Sequence, residues 1–454
     1  MYFKNFKNKG TFFMLLIVFQ LFIPIPIIRN NFFGISPINY TTSGINGILD
    51  NKLTLSKKNS AFSYQQEWNR TWGTNADDTA TSIISDNEGN IYICGYVGLP
   101  NPNITIRKYS PSGTLIWSKI WDSTYPDYAR GVSIDTDNDI YVIGYYHNTT
   151  ASQYNLLIIK YDSNGNQIWN LSWGNSIDAQ GRAIALKNDN IYAVCSVPSY
   201  SSVEIVKFDS NKNEIWNISW DLGGSEQPYA IDIYQNVLYI CGNTDSLGAT
   251  TNPFVLKYTI DGVELGAYYW GGDISIDYGK NIAFDDNGNG YLTGMTTSHG
   301  IYSQDVFLTK MNTNIDYIWN RTWGDYGSDA GSGIFIDSMD KIYVAGNTDS
   351  YSLGDKDALI LIYDSNGNQI SYLTWGGTSD EYALDIIVLN NDIYICGSTG
   401  SFSIGGIDIF LIKYKAISNE DITTNNTVPS FLVIFVILGV VLLIIIKYKN
   451  KIRI

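Results

Sequence analysis

Lys160 to Gly174 reads KYDSNGNQIWNLSWG: an apolar run ends in Lys-Tyr-Asp, a Ser-Asn-Gly-Asn cluster turns the chain, and two tryptophans follow four residues apart. In an extended segment that spacing puts both rings on one face. The unit recurs. Its later tryptophan returns as Trp72, Trp121, Trp173, Trp220, Trp270, Trp323 and Trp375, at steps of 49, 52, 47, 50, 53 and 52 residues. Five copies add the earlier ring, Trp68, Trp117, Trp169, Trp216 and Trp319, so all twelve tryptophans belong to the repeat. A period near fifty, filled with short apolar runs and Gly/Asn turns, is the length of one four-stranded propeller blade.

Within one period the pattern predicts four strands, at 80–85, 91–97, 104–109 and 115–121, separated by the turn Asp86–Asn90, a variable loop and the turn Ser110–Gly113. The second strand carries a regular tyrosine: Tyr92, Tyr141, Tyr192, Tyr239, Tyr291, Tyr343 and Tyr394. Three residues on stands Gly95, Gly144, Gly242, Gly294, Gly346 or Gly397, with Cys195 in the third copy, a pattern that suits sheets stacked face to face. Third strands such as 156–161 are apolar throughout, as expected where both faces are covered. The segment 65–72 is a fourth strand lacking its first three, while the last copy has a third strand at 409–414 and no fourth. The expectation is therefore an all-β, seven-bladed propeller over 64–415, of four-stranded antiparallel blades, closed when the N-terminal strand completes blade seven.

The ends differ from the array. Residues 1–30 hold Lys4, Lys7, Lys9, Arg29 and the apolar run 11–28, the pattern of a signal peptide or N-terminal anchor. Residues 428–446 are apolar, and at helical rise nineteen residues span ~28 Å, enough for a transmembrane helix. The basic tail 447–454 is expected in the cytoplasm, which puts the array outside the cell, with 31–63 a flexible spacer and 416–427 a linker. Pro429, Ser430 and Phe431 also resemble the start of an archaeal Pro-Gly-Phe sorting tail, with Ser in place of Gly. With basic residues gathered at the ends, the middle carries a charge of about −23, which repels nucleic acid and favours cations, basic partners or plain solubility.

The repeat resembles the SBBP family of β-propeller repeats. Tyr161, Asp162, Gly165, Asn166 and Trp169, then Trp173, Gly174, Asp178, Ile191 and Tyr192 carry the likeness, and the family's further Asp plus apolar step recurs at Asp305, Asp357 and Asp408. The resemblance implies a propeller on secreted or surface proteins and no established activity.

An acid follows the later tryptophan in every copy: Asp77 or Asp78, Asp127, Asp178, Glu226, Asp277, Asp329, and Asp380 or Glu381. Seven acids on the connection into each inner strand could ring one mouth of the channel and attract a cation or basic peptide; the alternative is that each accepts backbone hydrogen bonds in its own turn. Turns such as Asp162–Asn166 and Asp285–Asn289 resemble the start of a calcium loop but lack its bidentate Glu at position twelve, so hairpin chemistry explains them better. No cofactor is called for; Ca²⁺ is the ion the acids could take. Glycosylation sequons fall at Asn69, Asn103, Asn148, Asn170, Asn217, Asn320 and Asn425, and also at Asn39; on the outer strands their Ser and Thr equally serve strand propensity. Cys94, Cys195, Cys241 and Cys396 are expected as separate buried thiols, and His147 and His299 are too few for a zinc cluster or a histidine triad.

Two functions compete. One is a membrane-tethered extracellular module that recognises or scaffolds a surface protein or glycan. The other is a propeller enzyme such as a quinone-dependent dehydrogenase, which also carries tryptophan strands after Asp/Gly turns. Seven copies rather than eight, no adjacent cysteines and no copy with clustered catalytic groups favour the binding module. The sequence leaves the oligomeric state open.

Overall fold

The computed structural model describes residues 62–418, apart from 175, 200, 248–249, 272–274 and 299–302. They form seven four-stranded antiparallel sheets. Blade one runs from its inner strand Thr79–Ser85 through Ile91–Val97 and Asn103–Tyr109 to its outer strand Leu115–Trp121. The later inner strands are Asp127–Ile134, Gln180–Lys187, Glu226–Tyr234, Asp277–Phe284, Ala330–Ile336 and Glu381–Leu389. Each inner strand touches those of the two neighbouring blades, the first touching the seventh, so the sheets close a ring.

Closure uses the first strand of the described residues, as the sequence predicts. Phe62–Trp72 pairs antiparallel with Asp408–Ser418, from Phe62 opposite Ser418 to Trp72 opposite Ile409. Both strands run past the expected limits of 64 and 415, shortening the spacer and the linker. The seam is apolar: Ala80, Ile83, Ile91 and Ile93 of blade one pack with Ile387, Cys396, Ile409 and Leu411 of blade seven. The expected anchor at 1–30, most of the spacer, the linker beyond 418, the helix at 428–446, the tail at 447–454 and Asn425 lie outside the described residues. Among the described residues no helix is long and apolar enough to cross a membrane.

Burial follows position in the blade. The third strands Ser202–Phe208 and Asp357–Tyr363 are buried along their whole length, whereas outer strands such as Gln167–Trp173 alternate exposed and half-buried. The tryptophans lie on the half-buried side. In most blades a cross-strand row joins the tyrosine of the second strand, a lysine of the third and the earlier tryptophan: Tyr92 pairs with Lys108, and Lys108 with Trp117. Lys108 stands 4.9 Å from the Tyr92 ring centroid, and its ammonium donates to the Ser163 carbonyl of the next blade at 3.2 Å. Trp117 donates its indole N–H to the same carbonyl at 3.1 Å. The indole also covers Gly165, whose φ of 79° favours glycine and where any side chain would strike the ring. The turn glycine thus joins two blades: Gly165 and Gly262 receive the tryptophan of the blade before, while Gly367 meets Arg321. Gly113 receives Trp68 in the same way, so the closing seam repeats the contact used between consecutive blades.

The glycine after each tyrosine has a cause other than face-to-face stacking. The ladder between inner and second strands slips once in every blade, between Ala80 and Ser82, Ala129 and Gly131, Gly181 and Ala183, and so on to Ala383 and Asp385. This bulge tilts an inner-strand carbonyl over the second strand. A Cβ on Gly95 would collide with the Thr79 carbonyl, and one on Gly144 with that of Tyr128. Blade three carries Cys195 at this position, opposite Gly181.

Candidate functional site

The repeated acids are structural supports. One position, fixed by a backbone N–H that reaches a carbonyl at the start of the preceding blade's third strand or just before it, holds Asp78, Asp127, Ala179, Glu226, Asp277, Asp329 and Glu381. Asp78, Asp127, Glu226, Asp329 and Glu381 are fully buried and Asp277 nearly so. Asp127 accepts from the Ser123 backbone N–H at 2.7 Å and its hydroxyl at 2.6 Å. Glu381 accepts from Gly377 N–H, the Thr399 hydroxyl and Ser401 N–H at 2.8, 2.8 and 2.9 Å. Burial pushes the Asp127 carboxyl up to about 6 against the pull of its Ser123 bonds. Asp178 and Asp380 occupy the residue before this position and accept from Tyr154 N–H and Lys356 N–H, each at 3.0 Å. The seven acids expected at a channel mouth therefore divide between two positions, and the buried set faces its own connections. The first position lies six residues after the later tryptophan in every blade but that of Asp277, where it lies seven after, and adjacent residues of an extended segment point to opposite sides.

Asp408, Asp305 and Asp357 begin third strands and are buried as well. Gly73, Gly324 and Gly376 of the Trp-Gly pairs each lie against two carboxylates, Asp408 with Asp78, Asp305 with Asp329, and Asp357 with Glu381, which leaves no room for a side chain. Burial, and then the charge of Asp78, raise the Asp408 carboxyl. Among the described residues no three His, Cys, Asp or Glu converge as metal ligands.

The turn acids serve their own turns. Asp162 accepts from Asn164 N–H and Asn166 N–H at 2.9 and 2.8 Å, and Asp285 likewise from Asn287 and Asn289 at 3.0 and 2.8 Å. Of the sequon asparagines, Asn69, Asn170 and Asn217 are exposed on outer strands, while Asn103, Asn148 and Asn320 are half-buried. The four cysteines are free and buried.

The bulges create a feature the sequence does not advertise. Each leaves one inner-strand residue outside the ladder: Thr81, Arg130, Arg182, Tyr229, Lys280, Ser332 and Leu384. All are half-buried, between neighbours such as Ala129 and Gly181 that are buried. In blades two and three these residues are arginines. Arg130 donates to the Tyr145 hydroxyl at 2.8 Å, and its guanidinium carbon lies 5.7, 5.5 and 5.5 Å from the ring centroids of Tyr96, Tyr128 and Tyr145. Arg182 donates to Ser196 Oγ at 2.9 Å and to Gln180 Oε1 at 3.1 Å, with its guanidinium carbon 5.9 Å from the same Tyr145 ring. Burial, and next the charge of Arg130, lower the Arg182 guanidinium below its ordinary value.

The tyrosines continue outward. Tyr145 meets Tyr154 edge-on at 5.2 Å, and Tyr154 meets His147 at 5.3 Å. Beyond them a cavity of about 430 Å³ opens between His147, Gln153, Tyr154, Ile177, Asp178 and Ser199. On the other side Lys280 stands 3.8 Å from the Tyr229 centroid. Aromatic faces and cations thus follow one another from the connections of blades two and three inward to the inner strands.

No protein-family model matches the chain, and no curated protein is similar to it. Solved structures are similar. An ulvan lyase of polysaccharide lyase family PL25, bound to -[GlcA(1-4)Rha3S]-, superposes with a TM-score of 0.50 at 11% identity, over 78% of this chain and 99% of that one. The extracellular domain assigned to a hybrid two-component system of B. thetaiotaomicron gives 0.45 at 14% identity, over 79% and 42% of the two chains. A protein of unknown function from Bacteroides caccae gives 0.41 at 12%, over 64% and 97%. At these identities the likeness is one of fold, and the fold of this chain is the seven-bladed all-β propeller.

Proposed function

We propose that this chain is a cell-surface recognition propeller of the SBBP kind, tethered by its C-terminal apolar segment and presenting the ring outside the cell, where it binds a glycan or a protein. The observation that carries the reading is the band of half-buried tyrosines and cations on one side of the ring, Tyr128, Arg130, Arg182 and Lys280 among them. Side chains that pair a flat apolar surface with a hydrogen-bonding tip are the ones enriched where proteins bind partners. The tail chemistry supports the tether: 428–446 suits a bilayer's thickness, and the lysines and arginine of 447–454 favour the cytoplasmic side. That an ulvan lyase of the same general fold binds a glucuronate-containing polymer supports placing glycans first among the ligands.

The test is a screen of the full-length chain against glycan and peptide arrays, with protease shaving of intact cells to locate the ring. Saturable binding to a defined set of ligands, with the ring digested from outside, is the expected result. A ring protected in intact cells, or an array on which nothing binds, overturns the reading.

A further inference from the structure

Two guanidiniums sharing one tyrosine ring, both half-buried and both held by neutral partners, form an unusual group in a chain of net charge −15. Several other cations have acids: Lys108 has Asp86, Lys160 has Asp135 and Asp139, and Lys413 has Glu67 and Asp392, whereas half-buried Lys257 and Lys310 rest on backbone carbonyls. Among the described residues Arg130 and Arg182 have none within ion-pairing distance. Their partners are a phenol, a serine hydroxyl and the amides of Gln180 and Gln227. Arg130 Nε is moreover buried without a hydrogen-bond partner.

Such an arrangement is costly without an anion. Each cation has lost part of its hydration, each repels the other, and no protein carboxylate offsets either charge. Paired guanidinium forks present N–H donors in a geometry that suits the two oxygens of a carboxylate or a sulfate ester. The side chains around them narrow the rest of the ligand. Tyr96, Tyr128 and Tyr145 surround Arg130, and Tyr128 lies 5.1 Å from Tyr96 and 5.0 Å from Tyr145 between centroids. Aromatic faces beside amide and hydroxyl groups suit the C–H face and hydroxyls of a sugar ring better than a peptide backbone, which needs a regular row of N–H and C=O partners.

We propose that Arg130 and Arg182 form a binding site for the charged group of an anionic polysaccharide, a uronate carboxylate or a sulfate ester, with the adjoining sugar rings lying on the half-buried Tyr96, Tyr128 and Tyr154. The proposal rests on the recognition function above and names its ligand class. The inner strands of blades two and three hold the charge, buried Tyr145 backs both guanidiniums, and the chain of sugars runs outward past Tyr154 toward the cavity beside His147. Asp178, which lines that cavity, already accepts the Tyr154 N–H.

The experiment measures binding of the full-length chain to four probes of matched length by tryptophan fluorescence and calorimetry: oligogalacturonate, sulfated dextran, unmodified dextran and poly-glutamate. The expected result is at least tenfold tighter binding of one anionic saccharide than of dextran or poly-glutamate, weakening with salt, and a loss of at least tenfold in the Arg130→Gln/Arg182→Gln variant. Whether carboxylate or sulfate is the natural group follows from which anionic probe binds tighter. Wild-type protein alone decides the question if the double variant does not fold, because equal binding of charged and neutral saccharides overturns the proposal. Preference for poly-glutamate overturns it in favour of an acidic polypeptide. Tight binding of neutral glycans or other partners, unaffected by the arginine changes, overturns the anionic site and leaves the recognition function standing; no binding to any probe or array ligand overturns both.

Discussion

The Lys413 ammonium lies 2.7 Å from the Glu67 carboxylate, an ion pair between the last strand of the ring and the first. Lys413 also reaches Asp392 at 3.0 Å and stands 5.5 Å from the Tyr394 ring centroid, where Trp68 packs on the other side of the row at 6.0 Å. Burial would lower this ammonium, but the bonds to Glu67 and Asp392 outweigh it and hold it above the ordinary lysine range. The N-terminal strand is therefore integral to blade seven.

Replacing Trp68 tests the seam. Trp68→Ala removes the contact with Tyr394 and uncovers Gly113 of blade one, and the expected cost is about 2–4 kcal/mol for a large, half-buried ring. Urea unfolding followed by circular dichroism reads it. An unchanged midpoint would mean that the closing strand contributes little to the ring.

Bulges in the inner strands predict intolerance at one position per blade. Gly144→Ala places a methyl group against the Tyr128 carbonyl within the same sheet and should cost more than about 2 kcal/mol, because a backbone atom has nowhere to move. A melting temperature within a degree of wild type would show that the strand can straighten.

Asp385 makes stability depend on pH. It accepts from the Ser82 hydroxyl at 2.9 Å and Ile83 N–H at 3.0 Å across the closing seam, and burial pushes its carboxyl from 3.8 up to about 6 despite those bonds. A carboxyl raised in the folded state favours folding while protonated, so its contribution is fully present below about 4 and is lost as pH rises through about 6. Asp385→Asn keeps a neutral side chain at every pH. Relative to wild type the variant should gain about 1–3 kcal/mol between pH 4 and pH 7, and parallel stability curves would contradict this assignment.

The thiols offer a chemical check. Burial raises Cys94 and Cys241 to about 12 and Cys396 well above the ordinary value, and all four cysteines are unpaired and enclosed. Native protein should leave a thiol reagent unreacted, and four equivalents should appear on unfolding in denaturant without reductant. Fewer than four would reveal a disulfide.

The blades were legible because their markers are large or distinctive side chains at fixed offsets. Tryptophan at the outer strand, tyrosine at the second and Asp-x-x-Gly at the turns gave seven sheets and the closing partner without coordinates. The bulges were not legible, because a one-residue slip is a property of the backbone that no residue type announces; Thr81, Arg130, Tyr229 and Leu384 share the position and nothing else. Asp178 stands in the acid pattern beside Asp127, although Ala179, at the same offset from the tryptophan, is the residue that takes that place. Arg130 and Arg182 each stand nine residues after the later tryptophan of the preceding outer strand, so their equivalence is legible in the spacing, while their exclusion from the ladder is not.

A slipped residue answers to no ladder partner, so its identity is free to vary while every neighbour is held by packing. Seven such places encircle the ring, and a different chemistry stands at almost every one. Divergence among copies can therefore rewrite what the centre displays without touching what keeps it circular, and a designer could exchange these seven letters alone to retune the molecule's taste for ligands.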